Sequence, residues 1–288
     1  MSFANLGIIL ASAVVHVVSH VAWKRARDRT AFAWWMLVWA CVFFAPVLVL
    51  ARPTASALIW GIMGISAAFE TMYFYLIARA YRLGDLSLVY PLARGSSPLF
   101  LLLWTTLFLS DRITPGGVAG IALIAAGLYV INLPGLGAWL APLRSLKQPA
   151  PQAALAAGVT ISLYTLTDRF GVQLLDPLVY TYLVLCLTLI IFTPIALRQV
   201  GWQSLRAELR SSRLGSVLAG PATMVAYTLV LYVIRAGTPA SYAGAVREVS
   251  VVFSSVIGVA LLHEKASRVR VLGAVCVVAG IGLIALLA

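Results

Sequence analysis

Charged residues make up only 10% of this 288-residue chain, while hydrophobic residues make up 62% and the mean hydropathy is +0.98. A soluble globular domain carries about a quarter of its residues as charges, so that class is excluded. Cysteine is almost as scarce. Cys41, Cys186 and Cys276 each fall inside an apolar run with no CxxC spacing, which excludes a disulfide framework and a thiolate metal site and leaves them as small core residues. The enzyme motifs are absent too. His263-Glu264 lacks the second histidine of a zinc protease motif, no glycine-rich loop ends in Gly-Lys-Ser/Thr, and Gly95-Ser96-Ser97 has no partner histidine identifiable by motif. The chain is therefore read as no enzyme, with no cofactor. The net charge of +12 is spread over short connections, and no folded soluble domain presents it to nucleic acid. The longest connections, about 132–151 and 198–213, are rich in Pro, Gly, Arg and Ser and read as linkers, so no separate catalytic or sensor domain is expected. Residues 1–23 lack a basic n-region and read as a first span rather than a cleavable signal.

What the chain has is apolar length. A helix needs about 20 apolar residues to cross the hydrocarbon core, and ten runs qualify: 3–23, 32–51, 57–80, 86–109, 115–133, 152–170, 177–197, 214–235, 240–262 and 268–288. The expected fold class is an all-α membrane protein of ten transmembrane helices. The chain also resembles itself. A shift of 153 residues lays 82–131 on 235–284 without a gap, matching Arg82 with Arg235, Gly84 with Gly237, Arg94 with Arg247, Ser97 with Ser250, Gly120 with Gly273 and Gly127 with Gly280. About one position in five is identical, so the charged and glycine matches carry the case. Five spans per half is odd, so the second half enters the bilayer from the opposite side and the repeats are inverted. The expected division is a first repeat at 1–133, a linker at 134–151 and a second repeat at 152–288. Outside the two mid-span arginines, fifteen Lys and Arg lie in connections 1–2, 3–4, 5–6, 7–8 and 9–10 and four in the others, which by the positive-inside rule places both termini outside a plasma membrane.

Polar groups at membrane depth are costly, so each is expected to face a cavity or a partner. In the fourth run, Tyr90-Pro91-Leu92-Ala93-Arg94-Gly95-Ser96-Ser97-Pro98 sets two prolines, an arginine and two hydroxyls amid apolar residues, which predicts a kinked or unwound helix. Its counterpart in the ninth run, Tyr242 to Ser250, holds Gly244 and the pair Arg247-Glu248 without a proline. Interrupted helices in matching positions of two inverted halves point to a substrate site at the midplane. Arg94 and Arg247 suit a carboxylate or phosphate there; in the alternative, Arg247 pairs with Glu248 or another acid and Arg94 snorkels or lines a gate. His16 and His20 share a helix face, with Trp23 a turn further on. Only an acid such as Glu70 is at hand to complete a zinc site, so no metal is expected and the pair reads as a polar, proton-sensitive cavity wall. In the front halves His16 and His20 align with Tyr164 and Asp168, and Asp168 reads either as part of that face or as an interfacial ion pair with Arg169. Glu70, with Tyr73 and Phe74 a turn away, is a candidate for a substrate ammonium or for proton coupling, or else a structural hydrogen bond. Tyr90, Tyr164, Tyr227 and Tyr242 are candidate pocket residues with Ser97, and Trp34, Trp35 and Trp39 suit an interfacial belt. Gly84 and Gly237 are candidate hinges. The glycine-rich fifth and tenth runs read as scaffold or dimerisation surface, for a monomer or weak homodimer.

The span-end sequences Leu109-Ser110-Asp111-Arg112-Ile113-Thr114 and Leu261-Leu262-His263-Glu264-Lys265-Ala266-Ser267, each before a glycine-rich helix, resemble the repeated signature of EamA-type members of the drug/metabolite transporter superfamily. The first copy departs in having Asp111 for the usual glutamate. The resemblance covers nearly the whole chain. It implies a secondary transporter with a central cavity formed mainly by spans one, three, four, six, eight and nine, opened alternately to each side. Many such relatives carry cytoplasmic termini, against the charge count. Within the superfamily the chain is most similar to amino-acid exporters of the YddG type, which implies export of neutral or aromatic amino acids or related metabolites. Arg94 or Arg247 would hold the carboxylate, Glu70 or Glu248 the ammonium, and tyrosines the side chain. The alternatives are another substrate class (an organic anion, nucleotide sugar or drug) or a passive channel. The expected partners are the small-molecule substrate, the lipid bilayer and protons.

Overall fold

The computed structural model describes residues 1–83, 86–109, 113–131, 133, 135, 137, 139–140, 144–253 and 268–287. These include the α-helices α1 Phe3–Arg25, α2 Arg29–Phe44, α3 Pro46–Ala51, α4 Ala57–Leu83, α5 Leu86–Phe108, α6 Pro115–Ile131, α7 Pro149–Leu174, α8 Pro177–Ser211, α9 Arg213–Arg235, α10 Ala240–Arg247 and α11 Arg268–Leu287. No strand occurs among the described residues. Five helices, beginning at Phe3, Ala57, Pro177, Arg213 and Arg268, are long and apolar enough to cross a membrane, and Arg29–Phe44 and Pro115–Ile131 are shorter apolar helices. Leu50, Leu58, Leu107, Phe108 and Leu286 are among the large apolar side chains on the outside, where a bilayer and not a core must solvate them. The chain is a multi-pass membrane protein.

Helix starts follow from capping chemistry. Ser2 Oγ accepts the Asn5 N–H, Asp28 Oδ1 accepts from Thr30 and Ala31, and Asp176 Oδ1 accepts from Leu178 with Pro177 opening the helix behind it. The helices then pack in a definite set of pairs. α1 lies on α9, α4 on α7, α2 on α8, α6 on α11, and α5 on α7. The α6–α11 pair is closed by glycines, whose absent side chains let the backbones touch. A Cβ on Gly120 would stand 2.7 Å from the Gly280 carbonyl oxygen, and one on Gly127 2.6 Å from that of Gly273. These glycine faces meet inside the chain, in line with the scaffold alternative.

Three expectations are corrected. The run at 32–51 is two helices, broken at Ala45 before Pro46. The stretch 198–213 is no linker. α8 continues through it to Ser211, turning at Gly201, whose φ of 73° favours glycine. α5 is helical from Leu86 to Phe108, through Pro91 and Pro98, which overturns the unwound alternative. Pro98 removes the N–H that would have bonded the Arg94 carbonyl, but the neighbouring Ser97 hydroxyl donates to that oxygen at 3.3 Å. The interruption lies in the run that begins at Ala240 instead, where α10 ends at Arg247 and a turn at Glu248 precedes a resumed helix at 249–253.

Candidate functional site

The helices enclose two narrow cavities that share a wall. The first, with a volume of about 50 Å³, is lined by His16, Ser19, His20 and Trp23 of α1, Met36 of α2, Glu70, Tyr73 and Phe74 of α4, Arg94 of α5, Tyr164 of α7, Thr223 and Tyr227 of α9, and Arg247 of α10. The second, with a volume of about 20 Å³, runs on between α5, α7, α9 and α10 past Ser97, Leu101, Ser162, Thr165, Leu231 and Glu248. Arg94, Tyr227 and Arg247 line both and form the partition.

Four charges define the partition and its surroundings. Arg94 Nη1 stands 3.2 Å from Glu248 Oε1 in an ion pair whose side chains are 7% and 3% exposed. A residue of α5 and one at the turn after α10 thus neutralise one another. Arg94 Nη2 lies 2.9 Å from His16 Nε2. A guanidinium has donors only, so the histidine nitrogen accepts and the imidazole here is neutral with its proton on Nδ1. That cation against His16 also argues against a metal between His16 and His20, and no group of three or more His, Cys, Asp or Glu gathers among the described residues.

Arg247 is held differently. Its guanidinium carbon lies 5.6 Å from the Tyr227 ring centroid, its Nε is buried without a hydrogen-bond partner, and no carboxylate pairs with it among the described residues. Glu70 on α4 is buried, accepts a 2.9 Å hydrogen bond from Thr188 Oγ1, and otherwise faces the first cavity. Aromatic rings form the remaining wall: Trp23 meets Tyr73 and Phe74 with centroids 6.4 and 5.7 Å apart, and Tyr164 meets Tyr73 and Tyr227 at 6.4 and 6.0 Å.

Some anticipated site residues lie elsewhere. Asp168 is fully buried and lines neither cavity; Oδ1 accepts from Ser66 at 2.5 Å and Tyr180 at 2.9 Å, and Oδ2 accepts from Tyr227. It is a three-hydroxyl anchor for the Tyr227 ring, not an interfacial partner of Arg169. Tyr242 is spent on structure. Its hydroxyl accepts the Thr114 N–H at 2.9 Å and its ring lies against Gly117. Arg247 does not pair with its neighbour Glu248, because the turn between them sends the carboxylate to Arg94. The Tyr90 side chain lies outside the description, as do Gly84 and the span-end segments 110–112 and 254–267. Gly237, the mate of Gly84, ends α9 with φ +94°. Sequence reasoning passed over Ser162 and Thr165, which bond back to Val159 and Ile161 carbonyls of their own helix and so sit in an apolar run at little cost.

Comparison with known proteins agrees with this architecture. The family described as EamA-like transporter matches residues 3–133 and again 149–286. A solved crystal structure, described only as that of a protein, superposes with a TM-score of 0.76 over 100% of this chain and 98% of its own, at 18% sequence identity, a likeness of fold. No curated protein sequence matches. With almost its whole length in two matched segments, the chain belongs to the EamA-like transporter family, whose members are transporters and not enzymes.

Proposed function

We propose that the protein is a ten-span secondary transporter that carries a zwitterionic metabolite, an amino acid with a neutral or aromatic side chain, outward across the plasma membrane. One observation carries this reading. Among the described residues Arg247 has no carboxylate partner, and it lines the same cavity as Glu70, a carboxyl group with no cation paired to it there, whereas Arg94 and Glu248 already neutralise each other. A ligand with one negative and one positive end matches both leftover charges, and a guanidinium is the side chain best suited to a carboxylate. Trp23, Tyr73, Phe74 and Tyr164 supply the apolar wall for the side chain. Of the residues anticipated for the carboxylate, the pairing favours Arg247 over Arg94, and for the ammonium it favours Glu70 over Glu248.

Alternating access fits the helix pairing. With two five-span repeats at 1–133 and 152–288 joined by 134–151, exchanging the halves turns the α1–α9 contact into α7–α4, turns α5–α7 into α10–α1, and leaves α2–α8 and α6–α11 unchanged. Each of these pairings has its counterpart, as an inverted duplication requires. The Arg94–Glu248 ion pair then joins the two repeats across the partition, where it acts as a latch that must open for substrate to pass from one cavity to the other. Similarity to amino-acid exporters of the YddG type is part of the same proposal. The test is uptake into proteoliposomes of labelled amino acids, organic acids and nucleotide sugars, with Arg247→Gln as control. Saturable uptake of neutral or aromatic amino acids, lost in the variant, supports the reading. Uptake of organic anions alone replaces the substrate class, and flux that never saturates replaces the transporter with a channel.

A further inference from the structure

A third cavity lies away from the substrate path, at the end of the bundle where α1 turns into α2 and α4 and α8 meet. It has about 1010 Å³ of free space, opens outward, and is lined by Arg27, Arg29 and Arg82 against a single acid, Asp28. Asp28 is already engaged, since its Oδ1 accepts the N–H groups of Thr30 and Ala31. Among the described residues none of the three arginines pairs with a carboxylate. Arg82 Nη1 donates to Gln199 Oε1 at 3.2 Å, and the Arg29 guanidinium lies 5.2 Å over the Tyr81 ring with its Nε buried and without a partner.

The turn that carries these cations is held in place. The Asp28 N–H donates to Glu208 at 3.0 Å, and Trp23 Nε1 donates to the Arg29 carbonyl at 2.9 Å. On the far side, α8 bends at Gly201 just beyond Gln199 and Val200 of the lining. The corresponding corner of the second half serves as an internal comparison. There Asp176 caps α8 as Asp28 caps α2, and Arg235 is the sequence mate of Arg82, but Arg235 Nη1 reaches Asp176 Oδ2 at 3.7 Å and the Leu175 carbonyl at 3.3 Å. The second corner is neutralised by its own acid, and the first is left with surplus positive charge around an open space.

We infer that the first corner binds a phosphate group at the bilayer surface, through Arg27, Arg29 and Arg82. Planar guanidinium forks suit phosphate oxygens, and span ends lie at the depth of phospholipid headgroups. Trp34 stacks edge to face with Trp202 at 6.0 Å beside the same end of α8, as a headgroup-level aromatic belt does. The inference is independent of which substrate the central cavity carries.

The test is native mass spectrometry of the full-length protein released from micelles with added phosphatidylglycerol or phosphatidylcholine. The triple variant Arg27→Gln/Arg29→Gln/Arg82→Gln is compared with the charge-matched Arg206→Gln/Arg210→Gln/Arg213→Gln. Preferential retention of phosphatidylglycerol, reduced roughly tenfold or more in the first triple and less than about threefold in the second, supports the site. Equal loss in both triples, or no preference in the parent protein, overturns it. The single Arg27→Gln at an exposed position guards against misfolding of the triple and is expected to lower retention by about threefold; no change there counts against the site. Competition by millimolar inorganic phosphate assigns the natural ligand to solution, and its absence assigns it to a lipid headgroup.

Discussion

Replacing Glu248 by alanine takes from the Arg94 guanidinium the carboxylate it pairs with in the protein interior. The two groups stand 3.2 Å apart and are nearly unexposed. At an effective dielectric constant of about 20 their attraction is about 5 kcal/mol, and removing one partner of a buried pair typically costs about 3–5 kcal/mol because the survivor keeps its desolvation penalty. His16 is a neutral acceptor toward Arg94 and cannot supply the lost counter-charge. Glu248→Ala is therefore expected to cost about 3 kcal/mol or more, and so is Arg94→Met, which strands the carboxylate. The double variant is expected to cost much less than the sum, since no charge remains uncompensated. Unfolding in mixed micelles followed by tryptophan fluorescence reads all four proteins. Single costs below about 1 kcal/mol, or additivity within about 0.5 kcal/mol, would refute the pair as a mutual neutraliser.

Gly127→Ala sets a methyl 2.6 Å from the Gly273 carbonyl and is expected to lower stability by about 1–3 kcal/mol in the same assay, whereas Gly282→Ala, with nothing within 4 Å, is expected to be near neutral. Asp168→Ala removes the acceptor of three buried hydroxyls and is expected to cost about 2 kcal/mol or more, and Ser66→Ala less, as chemical denaturation would report. The Cys41 and Cys186 sulfurs lie 3.4 Å apart between α2 and α8. Iodine should join them by taking two electrons as both thiols release their protons; a mass unchanged after treatment, with both thiols still alkylatable, would contradict the α2–α8 packing.

Five helices long enough to span were legible as apolar runs, but hydrocarbon thickness did not fix their ends, since the run read at 177–197 continues to Ser211. The polar residues to watch were legible for a similar reason, since a charge at membrane depth is conspicuous. What each of them bonds was not. Spacing puts Arg247 beside Glu248, but one turn of irregular backbone gives the acid to Arg94, more than 150 positions away in sequence. Pro98 looked like a helix breaker because the rescue by the Ser97 hydroxyl depends on a rotamer. Tyr242 resembled a pocket aromatic, yet its hydroxyl serves the start of α6, a contact between halves that no local pattern records. Asp168 reads as polar in any scan, and only three dimensions reveal the three hydroxyls that remove it from the cavity surface.

The most direct test of the central claim is equilibrium binding of a labelled aromatic amino acid to the purified protein, competed by its carboxamide, which lacks the anion, and by its N-acetyl derivative, which lacks the cation. Binding to the parent protein is expected to need both ends. Arg247→Gln should cease to distinguish the amino acid from its carboxamide, and Glu70→Gln should cease to distinguish it from the N-acetyl form. Tight binding of either analogue to the parent protein, or discrimination that survives in Arg247→Gln and disappears in Arg94→Gln, would contradict it.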